Sequence, residues 1–167
     1  MIQNSVEYKI ISDYYGDIRA KRSGVRYMNH IDEGLAILNI IDASDLAKRA
    51  YCLHPIYQGD FDLSMNHKQY KIDGDVMLRV IEYRSVANEY LSFREINSFM
   101  DIRLSPIKDV NDMLIADKIQ NRKDFELYHK GKHARSKELE RYFLKWCQRL
   151  GITEDEYKQF KKQLTNG

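Results

Sequence analysis

The sequence predicts an all-α bundle, and three observations carry that expectation. Only two prolines and eight glycines interrupt 167 residues, few breakers for a chain of this length. Apolar residues recur at three- and four-residue spacing along most of it. Residues suited to capping, such as Ser44, Ser136 and Thr153, stand where those periodic stretches begin.

Taken in order, the first helix is expected over 3–19, with Val6, Ile10, Ile11 and Tyr14 on one face. A loop around Gly24 follows. Ile31, Leu35, Leu38 and Ile41 mark a second helix over 30–41. Ser44 then caps a third, whose Ala47, Ala50, Tyr51 and His54 share related faces and which Pro55 is expected to stop. Residues 55–74 read as an irregular loop with room for a short β element. Val76, Val80, Tyr83 and Ala87 give the inner face of a helix over 75–92. Ser105-Pro106 opens the next, over 107–131, with Val110, Leu114, Asp117 and Asn121 along one stripe. Ser136 starts the most regular helix, with Leu139, Tyr142, Phe143, Trp146 and Leu150 inward and Gly151 at its end. Thr153, with Glu156 three residues on, has the signature of a capping box before a final helix.

Composition narrows the function classes. Apolar residues make up 43% and charged residues 31%, as in ordinary globular domains, so one domain spanning 1–167 is expected. A formal net charge of +2 gives no global pull toward nucleic acid. No stretch approaches the ~18 apolar residues of a membrane span, so no membrane partner is expected. The opening residues lack the basic-then-apolar pattern of a secretion signal. Cys52 and Cys147 belong to no CxxC pair and fall within apolar helical patterns, which points to reduced core thiols and a cytoplasmic setting.

Three residues have a polarity that does not suit their setting. His30 opens one helix and His54 closes the next. Asp117 lies in "MLIADKI", where a carboxylate among Leu114, Ile115, Ala116 and Ile119 is unfavourable unless paired or bound. Lys118 and Arg122 are near enough in sequence to pair with it. Two imidazoles and a carboxylate from separate helices form a donor set suited to a divalent Mn, Fe, Zn or Mg ion. A spacing of four puts Asn121 on the face of Asp117. Arg84 and Asn88 share a face in the same way and are candidates to meet a phosphorylated ligand. The segment "YHKGKHARSK" (128–137) is strongly basic and would draw phosphates by charge.

The stretches "AKRSGVRYMNHI", "AKRAYCLH" and "LIADKIQNRKDF" together resemble the HD-domain phosphohydrolases. The resemblance is closest to the alarmone hydrolase domain of the RelA/SpoT proteins and their small relatives, and covers about residues 18–125. "YMNHIDEGL" and "YHKGKHARSKEL" are also similar to small HD-like proteins of tailed phages. The resemblance implies an HD-like helical bundle in which His30, His54 and Asp117 hold the metal. Lys21, Arg22, Ser23 and Asn121 would then contact a purine nucleotide.

The pattern is broken at one point. Pro55 stands where the family has the aspartate that follows the second histidine, and Gln58-Gly59 stand where an acidic pair would handle the attacking water. Asp60 and Asp62 are the nearest acids left for that proton. Two outcomes follow: a metal-dependent hydrolase with a displaced acid, or an inactive pocket that binds a nucleotide or a host protein, as a phage counter-defence factor would.

Overall fold

A computed structural model describes residues 1–165. Among them are nine α-helices and no β-strand: α1 (Val6–Tyr15), α2 (Met28–Ile40), α3 (Asp45–Leu53), α4 (Pro55–Gln58), α5 (Asp60–Asn66), α6 (Gly74–Glu89), α7 (Lys108–Asp124), α8 (Ser136–Arg149) and α9 (Glu154–Thr165). The all-α expectation holds. No helix among the described residues is long and apolar enough to cross a membrane.

Four of the nine helix starts, those of α1, α3, α6 and α9, use side-chain caps the sequence offers. Ser44 Oγ accepts from the Ala47 amide at 3.0 Å, and Asp73 Oδ1 from the Asp75 amide at 2.8 Å. The Thr153 amide donates to Glu156 Oε2 at 2.8 Å while the Glu156 amide donates to Thr153 Oγ1 at 3.2 Å, completing the capping box. Ser136 behaves differently. It is the first helical residue of α8, and its hydroxyl accepts from the Gly131 amide at 2.8 Å, which closes the basic loop before the helix.

Three sequence expectations change. The first helix is shorter than 3–19, and its inner face is rotated. Val6 and Tyr14 are exposed, while Ile11 and Glu7 are buried. Glu7 turns inward because Arg49 on α3 meets it with both ends of its guanidinium, at 2.9 and 3.1 Å. Residues 55–74 contain no β element; the one β-like pairing among the described residues is an isolated Arg19–Arg26 bridge. Two short helices, α4 and α5, fill that segment instead. Asn66 Nδ2 ties them together by donating to the Ile56 carbonyl at 2.9 Å. Pro55 also does not send the chain into a loop. It sits at the first position of α4, where a helix needs no amide hydrogen, so α4 follows α3 across His54 alone.

The organising element is α7, which packs against α2, α3, α6, α8 and α9. It is buried on nearly every side although it carries Asp112, Asp117, Lys118, Gln120, Arg122 and Lys123. Each of these side chains therefore has a partner. Arg122, for example, grips both carboxylate oxygens of Glu154 on α9 at 2.8 Å and lies 3.8 Å over the Tyr157 ring. Around α7 the apolar residues of α2, α3 and α6 form one core, with Trp146 of α8 fully buried against it.

Gly34 sets how closely α2 and α3 approach. A methyl at this position would overlap the ring and hydroxyl of Tyr51. Tyr51 is itself fully buried, so its ring has nowhere to go. On helix propensity alone Gly34→Ala would gain about 1 kcal/mol. Overpacking opposes this, and we expect a net loss of about 1–3 kcal/mol in urea unfolding. A stabilised Gly34→Ala variant would show that the close approach is not a constraint.

Candidate metal centre and neighbouring cavity

His30 stands in the first turn of α2, His54 at the junction of α3 and α4, and Asp117 in the middle of α7. The structure brings all three together. His30 Nε2 lies 3.1 Å from His54 Nε2 and 3.5 Å from Asp117 Oδ1, and His54 Nε2 lies 3.7 Å from the same Oδ1. A point equidistant from these three atoms in their plane is about 2.0 Å from each, the bond length of zinc to imidazole nitrogen or carboxylate oxygen.

The ring of His54 is oriented from behind. Its Nδ1–H donates to the Tyr51 carbonyl at 2.6 Å, so in the neutral ring Nε2 offers a lone pair to the cluster. The neutral form is strongly favoured, because burial and then the neighbouring His30 push the His54 pKa down to about 3. Asp117 behaves oppositely. Burial works against its charge, but the Lys118 ammonium, 2.9 Å from Oδ2, and the two imidazoles outweigh that and hold the carboxyl well below its usual range. Asn121 Nδ2 donates to Oδ1 at 2.8 Å. Lys118 is held in turn by the Tyr142 hydroxyl at 3.2 Å and by the Trp146 ring, whose centroid is 4.9 Å away.

The residues fit a divalent cation. The donors are two imidazole nitrogens and one carboxylate oxygen, the set that suits Mn, Fe or Zn. Tyr83 is fully buried beside Asp117, and burial and that carboxylate push its hydroxyl well above the usual range. Among the described residues no other group of histidine, cysteine or acidic side chains has this convergence.

A cavity of about 500 Å³ adjoins the centre on the His30 side. Arg22, Ser23 and Asn121 line it, and so do His129 and His133 of the basic segment. Arg22 and Ser23 sit at the tip of a tight loop before α2. Gly24 makes that loop with a left-handed φ of 70°, and its amide returns to the Ala20 carbonyl at 2.8 Å. Tyr15 and Tyr27, edge to face with centroids 5.3 Å apart, add aromatic surface to the wall. Beyond Asp124 the helix widens into one π turn, Phe125–His129, which brings Phe125, Tyr128 and His129 into the lining.

Other expected residues lie elsewhere. Lys21 is exposed and does not line this cavity. Arg84 and Asn88 line a separate cleft with Gln58 and Asp60. In that cleft Asp60 is ion-paired to Arg84 and otherwise exposed. Neither Asp60 nor Asp62 belongs to the metal-type cluster. The helix turn of α5 explains this, because it projects Asp62 back over Gly59 and presents Asp60 to solvent. Sequence reasoning also missed the roles of Gln120 and Tyr51, whose contacts with His30 are across the bundle and leave no local signal. Compared with family models, with curated proteins and with solved structures, the chain matches none.

The neutral, buried His54 has a consequence for acid stability. Its folded pKa of about 3 lies below the ordinary imidazole value of about 6.5, so the unfolded chain takes up the proton first. Stability from this group is complete above about pH 6.5 and falls as the pH drops toward the folded value, by at most about 1.4 kcal/mol per pH unit. Urea midpoints in the presence of EDTA should therefore be lower at pH 5 than at pH 7.5, and the drop should shrink in His54→Gln. Equal midpoints at the two pH values would contradict a buried neutral imidazole.

Proposed function

We propose that the chain binds one divalent cation through His30, His54 and Asp117 and hydrolyses a phosphoester of a purine nucleotide held in the adjoining cavity. This is the activity implied by the likeness to HD-domain phosphohydrolases, an alarmone being the nearest substrate class. The observation that carries the reading is the convergence of three donor atoms from α2, α3 and α7 at mutual distances of 3.1–3.7 Å. A divalent ion supplies Lewis acidity toward a phosphoryl oxygen and toward water. The chain's own residues supply the rest. Arg22, His129 and His133 give the cavity wall donors for phosphate oxygens. Tyr15 and Tyr27 offer faces on which a base stacks. Asn121, anchored on Asp117, addresses the ligand and the centre together.

A second reading has one observation in its favour. Asp117 is the one carboxylate in the cluster, and it is engaged by Lys118 and Asn121, so no acid stands free to take a proton from water. On this reading the same cavity holds a nucleotide without turning it over, or docks on a host protein.

One set of measurements separates them. Purified protein is titrated with Mn²⁺ and Zn²⁺ by calorimetry and incubated with a nucleotide panel that includes alarmones, with products resolved by chromatography. We expect one ion per chain, and in His54→Ala and Asp117→Asn a loss of affinity beyond the roughly 10–100-fold typical of an outer-shell change. Product formation that disappears in both variants supports the hydrolase. Saturable nucleotide binding without product supports the second reading. Absence of both metal and nucleotide binding overturns the hydrolase and the nucleotide-holding form of the second reading together.

A further inference from the structure

We infer that Gln120 is the positioning residue that makes His30 available as a ligand, by deciding which of its ring nitrogens carries the proton. The inference rests on the metal reading above and adds to it a residue that the likeness to HD-domain proteins does not supply. Gln120 is fully buried on α7, one turn from Asp117. Its Oε1 lies 2.6 Å from His30 Nδ1. Its Nε2 donates to two carboxylates, Glu33 Oε2 at 3.0 Å and Asp124 Oδ2 at 2.8 Å. Ionised carboxylates only accept hydrogen bonds, so the amide cannot be turned over: its oxygen would then face both of them. Lys123 secures the arrangement by binding Glu33 Oε1 at 2.8 Å.

With Oε1 fixed as an acceptor, the proton of a neutral His30 ring belongs on Nδ1. Nε2 then carries a lone pair and faces His54 Nε2 and Asp117 Oδ1. The other tautomer would place a hydrogen on Nε2, aimed at His54 Nε2 3.1 Å away. That hydrogen bond would link the two rings directly and close the centre to a cation. The state of Gln120 therefore selects between a shared proton and a shared metal. His54 needs no such side chain, since a main-chain carbonyl sets its tautomer. The Tyr51 hydroxyl lies 3.5 Å from His30 Nε2, on the cluster side of the ring, so Gln120 is the side chain that holds Nδ1.

The test reads the tautomer directly. Uniformly ¹⁵N-labelled full-length protein in EDTA at pH 8 is examined by long-range ¹H–¹⁵N correlation of the histidine rings, and zinc affinity is measured by competition with a chelating dye. We expect the His30 ring of the wild type to carry its proton on Nδ1. In Gln120→Met that ring should shift to the Nε2–H form or average between the two, while His54 stays Nδ1–H and zinc affinity falls about 10–100-fold. A wild-type His30 with its proton on Nε2 overturns the inference without any variant. So does a Gln120→Met protein whose His30 tautomer and zinc affinity are unchanged. An Nδ1–H His30 that responds to Gln120→Met in a protein without zinc affinity upholds the tautomer assignment and sinks the metal reading alone.

Discussion

A carboxylate buried at the centre of the bundle is the constraint on which the rest of the structure depends. Asp117 cannot lose its charge cheaply with Lys118 against one oxygen, and cannot keep it without company on the other. The bundle provides that company from three helices: imidazoles from α2 and from the end of α3, and an amide from α7 itself. The close approach of α2 and α3 at Gly34, the packing of the tilted Tyr51 ring against both histidines and the burial of Lys118 beside Trp146 all serve the same point. The charge at the middle of the core is held by these pairings and not by apolar packing alone.

Much of this was legible in the chain, and the reasons are physical. Period-3.6 apolar residues fixed the inward faces of α2, α3 and α6, because those faces meet an apolar core with no competing demand. The convergence of His30, His54 and Asp117 was legible because a polar residue in an apolar stripe has few explanations. Elements governed by long-range or very short-range forces were not. Glu7 points inward only because Arg49 waits across the bundle, which no local pattern records. The short α5 has Phe61 and Met65 exposed, so its helical period carries no core signal. Gln120 looked like an unremarkable polar position because its three partners come from other turns and another helix.

Pro55 offers no ligand side chain after His54, and the local structure uses it as the first residue of a new helix. The acids that follow are carried off by that helix and the next. Asp60 ends in a cleft with Arg84 and Asn88, on residues distinct from those lining the cavity at His30. The ligand-type residues of the sequence thus divide into two groups, one beside the metal-type centre and one apart from it.

The grip of Arg122 on Glu154 has a bearing on how the molecule comes apart. Arg122 belongs to the central helix but is bound at both terminal nitrogens by the last one. If α9 peels away, the guanidinium buried next to Cys147 loses both bonds to Glu154 and the Tyr157 ring, and keeps only Glu126 at 3.2 Å. Fraying at the carboxyl-terminal end and loosening of the innermost helix are thereby coupled into a single cooperative event. The final twelve-residue helix works as a keystone and not as an appendage.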